Sequence, residues 1–356
     1  MEQQTITQTQ ALNALLPEEL EHALKELGQP AFRAKQIFDW LHVKRVLQHQ
    51  QISNLPAPLR QQLEQQFPIT QLEVETKLVS QLDGTVKYLF RLPDGNAVES
   101  VLMQYKHGSS LCISTQVGCR MGCRFCASTL GGLVRNLTAA EMLEEVYAAE
   151  RNSGQRVDSL VLMGIGEPLD NFEEVVRFLR LLSHPQGKNL SLRHVSLSTC
   201  GLVEQIDRLA ELRLGLTLSI SLHATDNETR SGIMPVNNRH NIQELMAACK
   251  RYFDKTGRRV SFEYALIAGV NDRPSDADAL AKLLRGQNAH VNLIPINPVK
   301  ERPYTRGQRK SIEEFCSRLC ALGLNATVRR ELGSDISAAC GQLRRGRETG
   351  RGQQES

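Results

Sequence analysis

The chain has 356 residues, 43 Lys and Arg against 39 Asp and Glu, a net charge of +4, 41% hydrophobic residues and a single Trp. These values exclude a disordered, collagen-like or membrane-spanning chain and leave an ordinary soluble globular protein, long enough for a large domain with a smaller accessory one. No apolar run approaches the roughly 18 residues of a membrane span, and the polar start MEQQTITQTQ lacks the apolar centre of a secretory signal, so the cytoplasm is the expected compartment.

From Leu16 to Phe67 three stretches, PEELEHALKELG, FRAKQIFDWLHVKRV and LPAPLRQQLEQQF, carry apolar residues at three- and four-residue spacing and are separated by Gly or Pro. They predict a small helical domain over 1–70, with Phe32, Ile37, Phe38, Trp40 and Leu41 as its core. Arg33, Lys35, Lys44 and Arg45 are its candidate RNA-facing charges, equally readable as a solvated basic face. From Leu72 to Leu102 the texture changes to alternation, with Asp-Gly at Asp83 and Asp94 marking tight turns. This predicts a short antiparallel sheet, 71–108, bridging two domains.

After Cys112 a β-then-α rhythm takes over, and its first strand candidate opens a second, larger domain over 109–343. Strand candidates are SSLCIST, DSLVLMGI, HVSLST, LTLSISLH, RVSFEYAL and HVNLIPI; helix candidates are TAAEMLEEVYAAER, NFEEVVRFLRLL, VEQIDRLAEL, NIQELMAACKRYF, DADALAKLLR and SIEEFCSRLCALG. Apolar strands alternating with helices read as a parallel sheet under helices, which right-handed crossovers curl toward a barrel. The expected fold is therefore α/β, an open (β/α)6 partial barrel, because six units are too few for a closed (β/α)8 barrel. A final strand candidate, ATVRRELG, leads into SDISAACGQL and a basic tail over 344–356 that reads as disordered.

Nine cysteines, four of them between 112 and 126, fit a reducing compartment better than a disulfide framework. Cys119, Cys123 and Cys126 stand in a C-x3-C-x2-C spacing. Thiolates at that spacing suit an iron–sulfur cluster, and three ligands leave one iron of a four-iron cluster open to an outside ligand. Structural zinc prefers four closed ligands, often two C-x2-C knuckles, and no second knuckle follows. The spacing by itself still leaves zinc, or no metal, open.

The triad, with Phe125 just before its third Cys, resembles the signature of the radical S-adenosylmethionine (SAM) enzymes. The flanks LCISTQVGC and ASTLGGLVRNL, with MGIGEPLDN at Met163 to Asn171, resemble one branch, the dual-specificity 23S rRNA and tRNA adenine-C2 methyltransferases, along nearly the whole chain. That resemblance implies a 4Fe-4S cluster on Cys119, Cys123 and Cys126, with the amino and carboxylate groups of SAM on the fourth iron. It further implies SAM contacts at Gly166, Glu167, Ser198, Ser221, Leu222, His223 and Asn297. Cys340 is implied as the methylated cysteine, Cys112 as the resolving cysteine that forms a transient disulfide with it, and Glu99 as the proton acceptor. Two SAM molecules are used per turnover, as methyl donor and as radical source. Implied partners are 23S rRNA, tRNA, an electron donor of flavodoxin or ferredoxin type and a disulfide reductant, acting on a monomer with no membrane association.

The chemistry requires such a route, since C2 of adenine is an electrophilic carbon that cannot attack the SAM methyl. Cysteines 200, 249, 316 and 320 and histidines 107, 194 and 240 read as ordinary structural residues. Relatives that methylate C8 of the same rRNA base, conferring antibiotic resistance, share the triad and both outer thiols; the GEP string resembles the C2 group. A non-enzymatic metal-binding RNA adaptor is the alternative of another class.

Overall fold

The computed structural model describes residues 10–336 and 338. Three short helices, α1 (Pro17–Glu26), α2 (Phe32–His42) and α3 (Ala57–Gln66), open the chain. On α2 the buried stripe is Ala34, Ile37, Phe38 and Leu41, which is i, i+3, i+4, i+7. Phe32 falls off that stripe and is 62% exposed, so it is not part of the core as the sequence suggested. Nor is Arg45 a free surface charge, because its guanidinium lies 2.5 Å from the buried Glu150 carboxylate. Lys44 lies over the Trp40 ring, and Arg33 over the exposed Phe32.

Strands β1 (Glu73–Val79), β2 (Val86–Arg91) and β3 (Ala97–Tyr105) form an antiparallel meander. β3 continues by antiparallel pairing into β4 (Gly108–Cys112), the first strand of the barrel. The meander is thus the edge of the barrel's own sheet rather than a separate bridging sheet. A two-stranded ribbon, β5 (Gln116–Gly118) with β6 (Leu133–Asn136), follows β4.

The rest alternates as expected: α4 (Ala139–Ser153), β7 (Ser159–Leu162), α5 (Phe172–Ser183), β8 (Val195–Thr199), α6 (Val203–Leu212), β9 (Thr217–Ser221), a short α7 (Asn227–Ile233), α8 (Ile242–Thr256), β10 (Val260–Leu266), α9 (Pro274–Leu283), β11 (Ala289–Pro295), α10 (Arg309–Ala321) and β12 (Asn325–Val328). The long helices start where their caps dictate. Thr138 with Glu141 and Asn241 with Glu244 form capping boxes, and Gly154 and Gly257 close the other ends. Sheet order is β1-β2-β3-β4-β7-β8-β9-β10-β11-β12, parallel from β4 onward, so all six predicted β/α units are present.

One continuous core runs from Leu12, Leu15 and Phe38 of the helical module to Leu143 of α4 and Phe178 of α5. Arg177 of α5 donates to the carbonyl of Ala14 at 3.2 Å and pairs with Glu19 at 2.6 Å, fixing the module on the barrel's outer helices. Among the described residues no helix is long and apolar enough to cross a membrane.

Candidate active site

The ribbon β5–β6 explains why three cysteines share one place. Its strands pair Gln116 with Asn136 and Gly118 with Leu133, so residues 119–132 form a loop closed at its base. At that base Gly118 has φ +80°, and a Cβ there would run into the carbonyl oxygen of Gly132. The loop is held from inside by the Thr129 hydroxyl, which donates to the carbonyls of Cys123 and Cys126, both at 3.0 Å. From outside, the Arg124 N–H donates to the carbonyl of Ile233 on α7 at 2.8 Å.

Cys119, Cys123 and Cys126 line one cavity of about 210 Å3 together with Gly166, Glu167, Ser198, Cys200, Ser221, His223 and Glu263. Burial pushes the Cys119 thiol up to about 12 and raises Cys123 as well, and the neighbouring thiols add to both rises. Buried thiols that resist ionisation beside one another become thiolates when a positive metal centre sits among them. Among the described residues no three His, Cys, Asp or Glu side chains converge tightly enough to share one metal ion. Three thiols lining one cavity fit an iron–sulfur cluster, which is held by thiolates around it.

The strand-end residues wall this cavity. The loop after β7 is gripped by the segment after β4: the N–H groups of Thr115 and Gln116 donate to the Ile165 carbonyl at 2.9 and 3.1 Å, and the Glu167 N–H donates to Gln116 Oε1 at 2.8 Å. Gly166, at φ +110°, permits that approach, since a Cβ would stand 2.6 Å from Gln116 Cβ. The Glu167 carboxylate accepts the N–H of Leu169 at 3.0 Å and of Cys200 at 2.7 Å; burial nevertheless raises its pKa.

The hydroxyls of Ser198 and Ser221 stand 3.5 Å apart on neighbouring strand ends. His223 accepts the Ala265 N–H on Nδ1 at 2.9 Å, and burial lowers its pKa to about 3, so the ring is neutral with its hydrogen on Nε2. Leu222 stands apart from the others. Its side chain is fully buried in the core, its N–H donates to Glu263, and it is not among the cavity-lining residues.

A second cavity, about 180 Å3, is lined by Glu99, Cys112, Asn297, Arg329 and Ala338, among others. It adjoins the first, sharing Met163, Gly164, Ile294 and Arg329 as common walls. Asn297 thus belongs to this side rather than to the cavity of the cysteine triad. Cys112 ends β4, where burial raises its thiol to about 11 while the Arg329 charge pulls it down. Glu99 on β3 is paired with Lys87 of β2 at 3.1 Å, both side chains buried, and its carbonyl accepts the Ser114 hydroxyl at 2.8 Å. Cys340 lies outside the described residues; Ala338, two positions before it, lines the cavity of Cys112.

Sequence reasoning missed Cys200, Glu263 and Arg329. Cys200 had a signal, since it follows Ser198 at the same strand end. The other two had none, because tertiary packing alone brings them to the site.

Residues 113–283 match the Radical SAM superfamily, and residues 11–69 match the Ribosomal RNA large subunit methyltransferase N-terminal domain. A probable dual-specificity RNA methyltransferase RlmN of Lachnoclostridium phytofermentans is 52% identical over 342 residues, covering 96% of each chain. A protein of the same description from Clostridium perfringens is 52% identical over 92% of this chain and 94% of its own. The crystal structure of a radical SAM methyltransferase from Sphaerobacter thermophilus superposes with a TM-score of 0.88 at 44% identity, over 94% of this chain and 98% of that one. The chain belongs to the RlmN family of dual-specificity RNA methyltransferases, within the radical SAM superfamily.

Proposed function

We propose that the chain methylates C2 of an adenosine in the peptidyl transferase centre of 23S rRNA and of an adenosine in the tRNA anticodon loop. The observation that carries this reading is the pair of adjoining cavities, one ringed by the cysteine triad and Glu167, the other by Glu99 and Cys112. Cys119, Cys123 and Cys126 would hold a 4Fe-4S cluster, which when bound would supply the one-electron reduction that cleaves SAM.

Glu167 accepts from the SAM amino group on the lone pairs left by two backbone amides. Gly166 leaves room for the ligand, Ser198 and Ser221 contact its ribose and carboxylate, and the Nε2–H of His223 donates to it. Leu222 supports His223 through the main chain, and Asn297 closes the SAM site from the neighbouring cavity. The thiolate of Cys340 takes a methyl from one SAM, and a second SAM serves as the radical source. The S-methyl carbon of Cys340 gives a hydrogen atom to the radical derived from the second SAM and adds to C2; the adduct then loses one electron to the oxidised one-electron carrier and its C2 proton to Glu99. The Cys112 thiolate attacks the Cys340 sulfur, the carbon–sulfur bond breaks with its electron pair to the new carbon, which takes a proton to become the methyl group, and a Cys112–Cys340 disulfide is left for an external reductant.

The helical module over 1–70 grips RNA, and a one-electron donor of flavodoxin or ferredoxin type serves the cluster of a monomeric, cytoplasmic enzyme. Anaerobic reconstitution, followed by labelled-SAM methylation of an rRNA fragment and of tRNA with nucleoside identification, tests the reading. The expected product is 2-methyladenosine in both RNAs; 8-methyladenosine, or an unlabelled RNA, overturns it.

A further inference from the structure

Arg230 is the largest fully buried side chain of the described residues, and it sits on α7 directly behind the cysteine loop. Its Nε donates to the Leu222 carbonyl at 3.0 Å. Nη1 reaches Asn237 Oδ1 at 3.1 Å and the His240 carbonyl at 3.5 Å, and Nη2 reaches the carbonyls of Cys200 at 2.7 Å and Ser221 at 3.1 Å. All of these acceptors are neutral oxygens. The donors are therefore satisfied while the full positive charge stays in the interior without a carboxylate against it, an arrangement that is costly unless an anion balances it.

The nearest groups able to carry that anion are thiols. Cys200, whose carbonyl Arg230 holds, packs in one cluster with Ile233 and Met234 of the α7 end, and Cys123 of the triad packs against the same cluster. Cys123 and Cys200 both act electrostatically on Arg230, and Arg230 acts on Cys123. The α7 helix also holds the cysteine loop directly, through the Arg124 N–H on the Ile233 carbonyl.

We propose that Arg230 is the counter-cation of the cluster site: its buried charge balances the thiolates and makes uptake of one electron easier. The inference rests on the cluster reading above. Reduction adds one negative charge to a site that three thiolates already make anionic, with the electron coming from a low-potential one-electron reductant, dithionite in the test. A fixed cation within the same low-dielectric pocket lowers the cost of that added charge. Arg230 is a positioning and electrostatic residue in this account, not one that touches RNA.

The test uses the full chain, reconstituted anaerobically with iron and sulfide, and reads iron per chain and the midpoint potential from a reductive titration of the cluster's paramagnetic signal. Arg230→Gln removes the charge and Arg230→Lys keeps it. The expected result is an at least tenfold less favourable reduction in Arg230→Gln, a fall of about 59 mV for one electron, with Arg230→Lys close to the parent. A folded, iron-loaded Arg230→Gln with the parent's potential overturns the proposal, as does an Arg230→Lys that falls as far as Arg230→Gln.

If Arg230→Gln does not fold, Cys249→Asp takes its place. Cys249 of α8 is a buried thiol outside the triad that interacts electrostatically with the guanidinium, and a carboxylate there sets a negative charge against that of Arg230. A lowered midpoint in that variant supports the proposal and an unchanged one overturns it. A parent chain that takes up no cluster at all refutes the cluster reading itself, a result separate from any difference among the variants.

Discussion

Lys87 Nζ lies 3.1 Å from Glu99 Oε2, diagonally across β2 and β3, with both side chains buried and Glu99 lining the Cys112 cavity. The pair fixes the Glu99 carboxylate at the cavity of Cys112, and the proposed mechanism has it take the C2 proton there. Removing one member of a buried ion pair costs about 3 to 5 kcal/mol, so Lys87→Met should lower stability by that order in urea unfolding. Glu99→Gln should keep its iron and lose about 10²- to 10⁴-fold in methylation rate. An active Glu99→Gln enzyme would remove Glu99 from the mechanism.

The cysteine loop depends on the crossing at Gly118. With φ at +80° and the Gly132 carbonyl where a Cβ would go, Gly118→Ala forces the ribbon β5–β6 apart. The rest of the sheet does not pair with that ribbon. The variant should therefore fold, with iron per chain reduced to less than half of the parent's; full iron loading would show that the loop closes without this crossing.

Much of this arrangement was legible in the chain. The β/α rhythm survived because short strands with buried apolar residues alternate with amphipathic helices, two of which, α4 and α8, are capped within their own sequence at Thr138 and Asn241. The continuation of the meander into the barrel was not legible, since β3 meets β4 by pairing that no local pattern announces. Phe32 misled because apolar character was counted ahead of helical phase, and Arg45 because its partner Glu150 lies more than a hundred residues away. Among the site residues, the strand-end motifs carried their own signals. Arg230 and Arg329 acquire a meaning only when α7 and the end of β12 are brought to the cavities.

The helical module should make stability depend on pH through His42. That ring is fully buried where α2 meets α4, its Nδ1 3.3 Å from the Tyr147 hydroxyl, and burial lowers its pKa from 6.5 to about 3, with His184 adding to the effect. Between those two values the unfolded chain binds a proton that the folded chain does not. Stability is therefore full above pH 6.5 and is lost as pH falls, by about 2 kcal/mol at pH 5 from this site. Urea midpoints of the parent and of His42→Phe at pH 7.5 and pH 5 check this. The parent should lose more than the variant, whereas parallel losses would place the dependence elsewhere.

The central claim is a division of labour among the four clustered thiols. Cys119, Cys123 and Cys126 share one cavity, while Cys112 faces the other with Glu99. The direct measurement is iron per chain and methylated adenosine per enzyme in Cys112→Ala, reconstituted beside the parent. The account predicts the parent's iron content and no more than one methyl transfer per enzyme, with RNA left attached to the protein. A Cys112→Ala enzyme that turns over repeatedly, or one that has lost its iron, would contradict it.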